Sequence, residues 1–133
     1  MTSELRSGCP IAASLDILGD RWTLVVLRDM LLGGSTRFSE FAADESIATN
    51  ILTDRLHRLV DSGLVEKTAD PDDGRRVIYR PLPPAIDLIP VLAELVAWGS
   101  HHTAVPQNPA FAAFANPGTR AAAVDAVQSR LRA

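Results

Sequence analysis

The chain has 133 residues, 47% of them hydrophobic and 22% charged, which is ordinary for a globular protein with one main domain. Its net charge of -3 argues against a protein that coats nucleic acid indiscriminately, but specific DNA binding stays open because phosphate contacts depend on local charge. No apolar run is long enough to span a membrane, the N-terminus lacks the apolar core of a secretory signal, and a lone cysteine cannot form an internal disulfide. We therefore expect a cytoplasmic protein without membrane contact.

Two helices are predicted near the N-terminus. Pro10 suits the first turn of a short helix that runs to Leu18 and stops at Gly19. Asp20 is a candidate N-cap for a second helix over residues 21–32. Because this second helix is apolar nearly all round, we expect it to be the most buried one.

A helix-turn-helix is predicted next. Residues 36–38 are too short for more than one or two sheet pairs, and Ser39 can cap a brief helix over residues 40–44. A longer amphipathic helix follows, with Thr49 as its candidate N-cap and Gly63 as its stop. Opposite its apolar stripe lie Asn50, Thr53, Asp54, His57 and Asp61. Taken alone, this helix also fits an ordinary amphipathic surface helix.

A β-hairpin is predicted directly after this helix. Two β-rich runs, residues 64–69 and 75–80, flank a turn that contains Asp73-Gly74. Arg75 and Arg76 lie beside the tip, where an arginine can reach a phosphate or a minor groove. The alternative is a solvated loop whose arginines pair with Asp72 and Asp73.

The order of these elements predicts a mainly α fold with a small β-hairpin wing, a winged helix-turn-helix. The late helix, residues 85–100, has two apolar faces, and one small core needs only one of them. Its second face (Leu88, Val91, Leu95 and Trp98) therefore predicts burial against another subunit in a two-fold homodimer. Pro90 must kink this helix or begin its main run.

The C-terminal residues are predicted to form an extension. Residues 1–104 form the winged-helix domain with its dimer helices, and residues 105–133 form an extension that ends in a helix from Arg120 to Arg132, with Thr119 as its cap. His101-His102 is a poor chelate, because adjacent side chains point in different directions, so we expect no metal site.

Several motifs together resemble the HxlR-type bacterial transcription regulators. They cover about three quarters of the chain and are Cys9-Pro10-Ile11-Ala12, residues 15–23, 37–40, 47–56 and 63–65, Tyr79-Arg80, and the spaced Leu88, Pro90-Val91-Leu92, Leu95 and Trp98-Gly99. The chain departs from many relatives at Leu82-Pro83-Pro84-Ala85, where the dimer helix starts.

The resemblance implies a dimeric winged-helix repressor or activator that binds double-stranded operator DNA and often responds to an electrophile, an oxidant or a small molecule. It implies that the first and late helices build the dimer. The base-reading candidates are Thr49, Asn50, Thr53, Asp54 and His57. The phosphate candidates are Arg37, Ser39, Arg58, Arg75 and Arg76.

No catalytic constellation is apparent, and we expect neither an enzyme nor a cofactor. Cys9 precedes Pro10 at a helix start, where the helix dipole favours a reactive thiolate. The resemblance adds that some family members use a cysteine here as a redox or electrophile sensor, and the alternative is a small apolar interface residue. A winged-helix protein-interaction module without DNA binding is the second functional hypothesis, because Asp54 and the acidic wing tip are unfavourable near phosphates.

Overall fold

The computed structural model describes residues 8–133, so the expectation about a secretory signal lies partly outside the described residues. The chain divides into two compact units, with the boundary between Ala85 and Ile86. The boundary expected after residue 104 rested on motifs rather than on packing, and it stays a prediction. Within the described part of the chain, no helix is long and apolar enough to cross a membrane.

The first unit is a winged helix-turn-helix. Its elements are α1 (Pro10–Leu18), α2 (Thr23–Leu31), two 3-10 turns (Phe38–Glu40 and Ala43–Glu45), α3 (Thr49–Asp61), β1 (Val65–Ala69) and β2 (Val77–Pro81). The two strands pair antiparallel, with Val65 opposite Pro81 and Ala69 opposite Val77. Residues 36–38 contact this hairpin through a backbone hydrogen bond from the Tyr79 N–H to the Thr36 carbonyl at 2.7 Å. This agrees with the prediction that residues 36–38 are too short for more than one or two sheet pairs.

The core of the first unit forms between α2 and α3. Val26, Leu27 and Leu31 of α2 are fully buried, and Leu56 and Leu59 of α3 pack into the same unit with almost no exposure. The prediction that the second helix is the most buried one is therefore confirmed. Burial of such side chains stabilises the fold by about 1.5–3 kcal/mol each.

The start of α2 is set by Asp20, as predicted, but the helix begins two residues later than expected. The Asp20 carboxylate accepts hydrogen bonds from the backbone N–H groups of Trp22 and Thr23, at 2.8 and 3.1 Å. The side-chain hydroxyl of Thr23 also donates to it. Residues 21–22 form a turn in front of the helix, and Thr23 is its first residue.

The prediction of a brief helix over residues 40–44 is wrong. Two 3-10 turns occupy this region, and Ala42 between them has a left-handed φ of 50°, which interrupts helical hydrogen bonding. Ser39 lies inside the first turn and does not cap it. The Glu40 carboxylate does so instead, accepting from the backbone N–H groups of Thr36 and Arg37 at 2.9 Å each.

The two ends of α3 differ in how well they were predicted. Thr49 is not the N-cap: it is the first helical residue, and the preceding Ala48 has no side chain that could cap the helix. The stop at Gly63 is confirmed. Its φ is +80°, its N–H donates to the Val60 carbonyl, and the Leu64 N–H donates to the Leu59 carbonyl, both at 3.1 Å, which is the Schellman pattern.

The second unit is helical. After α4 (Pro83–Ile86), which spans the boundary, come α5 (Ile89–His102), a 3-10 turn (Pro109–Phe111), α6 (Ala112–Ala115) and α7 (Arg120–Arg132). Pro90 lies in the first turn of α5. Of the two alternatives predicted for this proline, it therefore begins the main run of the helix and does not kink it. The predicted last helix has the bounds expected, but the Thr119 hydroxyl does not cap it and donates to the Ala113 carbonyl at 2.8 Å.

The two apolar faces of α5 have different environments. Ile89 and Leu92 are buried. On the other face Val91, Leu95 and Trp98 are exposed, Trp98 to 63%, whereas Leu88 is half-buried. In the first unit, Ile11 and Leu15 of α1 are also exposed. Each unit thus presents an apolar surface to solvent that its own core does not use.

Candidate nucleic-acid interface

The outer face of α3 carries the five predicted base-reading residues, and the predicted phosphate contact Arg58 is also an exposed residue of this helix. Leu52, Leu56 and Leu59 are buried and fix which side of the helix faces the core. The opposite side presents the predicted base-reading residues, all of them exposed: Thr49, Asn50, Thr53, Asp54 and His57. An exposed row of short polar side chains on an anchored helix has the form that major-groove reading requires.

Hydrogen bonds already engage part of this face. The Thr53 hydroxyl donates to the Thr49 carbonyl at 2.8 Å, and His57 Nε2 lies 3.4 Å from an Asp61 carboxylate oxygen. The Asp54 carboxylate lies 2.5 Å from a guanidinium nitrogen of Arg55 and 3.8 Å from one of Arg58. The negative charge of Asp54 is therefore partly compensated by arginines of its own helix.

Arg55 has a bracing position rather than a reading one. Only 17% of its side chain is exposed, and its Nε donates to Asp20 at 2.9 Å. Burial raises the pKa of the Asp20 carboxyl, but hydrogen bonds from Thr23, Trp22 and Arg55 outweigh burial and lower this pKa to about 2. Through this ion pair Arg55 links α3 to the segment just before α2.

The predicted phosphate contacts Arg37 and Ser39 lie beside the base of the wing. Ser39 is exposed, and Arg37 forms a 2.8 Å ion pair with Asp70, which is only 3% exposed. The backbone N–H of Asp72 lowers the pKa of the Asp70 carboxyl; burial opposes this effect, and Arg37 adds to it. Asp70 thus holds the start of the wing loop and also holds Arg37.

Both arginines at the wing tip project into solvent. Arg75 is 93% exposed, and its Nε lies 3.4 Å from the Asp73 carboxylate, while Arg76 Nε lies 3.6 Å from the other carboxylate oxygen. The alternative expected from the sequence, arginines paired with loop carboxylates, is thus realised at Asp73. At such distances and exposure the pairs are weak, so both guanidinium groups remain accessible to a phosphate.

Sequence reasoning missed a charged network behind the helix-turn-helix. Arg28 of α2 forms a bidentate contact with Glu45, at 2.9 and 3.0 Å. Its neighbour Asp29 accepts the backbone N–H of Ala42 at 2.6 Å. The hydrogen bond from Arg28 lowers the pKa of Glu45, and Glu45 in turn raises the pKa of Arg28. The available signal was the adjacent pair Arg28-Asp29, which interrupts an otherwise apolar helix.

The other chemistry-bearing side chains lie away from this face. Cys9 is exposed at the N-cap of α1. His101 Nδ1 lies 2.6 Å from the Ala97 carbonyl, and the ring of His102 packs against Trp98 with centroids 5.1 Å apart. Among residues 8–133, no three His, Cys, Asp or Glu side chains form a group that could hold a metal ion.

Comparisons with known proteins agree with this geometry. Residues 17–107 match the HxlR-like helix-turn-helix family. An HTH-type transcriptional regulator of Mycobacterium tuberculosis is 31% identical over 102 residues, which are 77% of this chain and 64% of that protein. The chain thus spans less than two thirds of this relative's length.

Two solved structures show the same fold. The crystal structure of PA1607, a proposed transcription factor, has a TM-score of 0.71 and 34% identity, and the match covers 80% of this chain and 74% of that one. The redox regulator HypR in its oxidized form has a TM-score of 0.62 and 27% identity, with coverage of 73% and 100%. The similar proteins are transcriptional regulators, not enzymes.

Proposed function

The chain belongs to the HxlR-like helix-turn-helix family, and from this membership we propose that it is a sequence-specific transcription regulator that binds double-stranded operator DNA. The observation that carries the proposal is the exposed polar face of α3, which its buried leucines hold outward. The neighbouring wing adds two accessible guanidinium groups, Arg75 and Arg76. Such a regulator works on promoter DNA in the bacterial cytoplasm.

The exposed side chains divide by chemistry into base contacts and phosphate contacts. Asn50 is the strongest base-reading candidate because its amide can bond two adenine atoms in the major groove. Thr49, Thr53, Asp54 and His57 complete the reading set, in which Asp54 could accept only from cytosine. Arg37, Ser39, Arg58, Arg75 and Arg76 are the phosphate contacts, which position the protein without reading sequence.

A homodimer is the assembly that we propose for DNA binding. The exposed apolar residues of α1 (Ile11, Leu15) and of α5 (Val91, Leu95, Trp98) support it, because large apolar side chains left in water mark an interaction surface. A two-fold dimer would present two copies of α3 to half-sites about 34 Å apart, one helical turn of DNA. Dimerisation is tested by sedimentation of a Trp98→Ala variant.

A binding titration against the DNA upstream of the protein's own gene tests the proposal. Asn50→Ala should lose discrimination between this DNA and a scrambled duplex by about 1–3 kcal/mol. Arg75→Ala should weaken binding to both duplexes and reduce the slope of log affinity against log salt by about one. Arg130→Ala is the matched control, because Arg130 is an exposed arginine of α7 in the second unit.

A protein-interaction module without DNA binding is the second candidate. The carboxylates beside the α3 face and on the wing loop favour it, since Asp54 and Asp72 are exposed and would repel phosphates. Absence of binding to any duplex at low salt would decide for this candidate. Binding that weakens steeply with salt would decide against it.

For the signal, we propose an electrophile or redox response at Cys9, with a small-molecule effector as the alternative. The exposed thiol at the start of α1 supports this, as does the similarity to the redox regulator HypR. An electrophile would add to Sγ after loss of the thiol proton. Alternatively, a two-electron oxidant would take up the two electrons released when two Cys9 thiols of a dimer lose their protons to solvent and form one S–S bond. Complete alkylation of Cys9 that leaves DNA affinity unchanged would refute it.

A further inference from the structure

Two ion pairs connect α2 and the turn before it to α3 and the turn before that helix. Arg28 of α2 binds Glu45, in the turn just before α3. Asp20, in front of α2, binds Arg55 in the middle of α3. We propose that these pairs, with Asp29, form a positioning clamp (Asp20, Arg28, Asp29, Glu45 and Arg55) that fixes α3 in its DNA-reading orientation without touching DNA. This inference rests on the proposed function.

The first contact of the clamp has a defined geometry. The two terminal guanidinium nitrogens of Arg28 each donate to a different carboxylate oxygen of Glu45, at 2.9 and 3.0 Å. The Arg28 Nε also donates to Asp29 at 2.8 Å. A bidentate pair fixes orientation as well as distance, so Glu45 is held in one place relative to α2.

The turn held by this contact adopts a backbone that its residues do not favour. Ala42 and Ser46 have positive φ values of 50° and 55°, which non-glycine residues avoid because Cβ approaches a carbonyl oxygen. Such backbone persists only where surrounding contacts determine it. Asp29, through the Ala42 N–H at 2.6 Å, and Arg28, through Glu45, supply contacts at both halves of this turn.

The second contact fixes the rotation of α3 about its own axis. Arg55 Nε binds Asp20 at 2.9 Å, and a second nitrogen of Arg55 binds Asp54 at 2.5 Å. Asp20 itself is immobilised, because it accepts the backbone N–H groups at the start of α2. Arg55 therefore links the rigid start of α2 to a carboxylate on the reading face.

Together the contacts constrain the start of α3 and its rotation. Base-reading groups must be held within about 0.5 Å of their productive geometry. The buried leucines set which side of α3 faces the core, and the directional ion pairs add a closer constraint on its rotation. Release of Glu45 would let the strained turn relax, and Thr49, three residues after Ser46, would move with it. The clamp thus affects specific recognition by holding the base-reading residues of α3 in position, not by contacting DNA.

The decisive experiment uses the sign of the charge change. Glu45→Gln keeps the size of the side chain and removes one negative charge, which by electrostatics alone should strengthen DNA binding. The clamp predicts the opposite: affinity for the specific duplex falls roughly tenfold, equivalent to about 1.4 kcal/mol, while affinity for a scrambled duplex stays the same or rises. Asp87→Asn is the matched control, since it removes an equal charge from the Asp87–Arg132 ion pair in the second unit.

A double-mutant cycle identifies the pair as the cause. If Arg28 and Glu45 act through one contact, Arg28→Gln combined with Glu45→Gln should weaken specific binding no more than the worse single substitution. Additive losses, or specific binding of Glu45→Gln that equals or exceeds the unsubstituted protein, would overturn the clamp. Circular dichroism of each variant checks that the fold is retained.

A measurement on the free protein separates this inference from the proposed function. The Leu52 N–H forms the first helical bond of α3, to the Ala48 carbonyl at 3.0 Å, and the Ser62 N–H forms a bond near its end, to the Arg58 carbonyl at 2.9 Å. Glu45→Gln should speed amide hydrogen exchange at Leu52 and leave Ser62 unchanged. If the unsubstituted protein binds no DNA, the proposed function fails and with it the clamp's role in recognition. If DNA binds but exchange at Leu52 is unaffected, only the clamp fails.

Discussion

Gly63 terminates the reading helix and directs the chain into the wing, so Gly63→Ala tests how much this junction depends on left-handed backbone. The φ of Gly63 is +80°, and a Cβ added there would meet no atom within 4 Å. The cost is therefore that of the backbone conformation alone, about 1–2 kcal/mol for an L-residue. Alanine lowers the entropy of the unfolded chain and offsets about 0.4–1 kcal/mol of this, so we expect a net loss of about 1 kcal/mol.

Urea unfolding at a fixed protein concentration measures this loss as a lower midpoint with an unchanged slope. Gly74→Ala is the control, because a Cβ at Gly74 also meets open space but its φ is not positive. This control should change stability by less than about 0.5 kcal/mol. Gly63→Asn should cost less than Gly63→Ala, since asparagine tolerates left-handed backbone. Equal stability of Gly63→Ala and Gly74→Ala would refute the reasoning.

Three further substitutions test the turn, the core and the Asp20 contact. Ser46→Gly relieves a φ of 55° at an exposed position and should raise the free energy of unfolding by about 0.5–1 kcal/mol, whereas Ser62→Gly, at φ -83°, should not. Leu56→Ala removes a side chain that is 1% exposed and should cost about 2–5 kcal/mol in thermal or urea unfolding. The Asp20 carboxyl has its pKa lowered from 3.8 to about 2 in the folded state, so its contribution of about 2 kcal/mol is complete above about pH 4 and is lost as the pH falls towards 2. Asp20→Asn should flatten this part of the stability–pH curve, and an unchanged curve would contradict the assignment.

Local signals predicted much of the fold. The bounds of α1 and α7 are those expected from Pro10, Gly19 and the break before Thr119, because helix ends depend on residues close in sequence. Gly63 and the Asp73-Gly74 turn likewise located the end of α3 and the hairpin. The helical spacing of the buried leucines in α3 correctly predicted which side of the helix is polar, since helical periodicity fixes which side chains share a face.

The features that the sequence did not predict depend on contacts between distant residues. The brief helix predicted over residues 40–44 does not form, because Ala42 has a left-handed backbone and its N–H bonds to Asp29, thirteen residues away along the chain. The Arg28–Glu45 pair spans seventeen residues, and neither residue carries a pattern that identifies its partner. The cap assignments at Ser39 and Thr49 failed for a different reason, because any hydroxyl near a helix start resembles a cap until the position of the first helical residue is known. Thr119 does precede the last helix, but its hydroxyl donates to the Ala113 carbonyl instead.

The pairing of charges near α3 explains how a chain of net charge -3 is compatible with the proposed DNA binding. Three acidic side chains around the interface lie beside an arginine, in the pairs Asp54–Arg58, Asp70–Arg37 and Asp73–Arg75. A cation in such a pair must share its carboxylate or leave it before it can bind a phosphate, which lowers affinity for any duplex. Base contacts from Asn50 and its neighbours add binding energy only on the matching sequence. Weak phosphate contacts therefore lower specific and non-specific affinity alike. The ratio between the two, which is the quantity that a regulator needs among many competing sites, is then set by the base contacts.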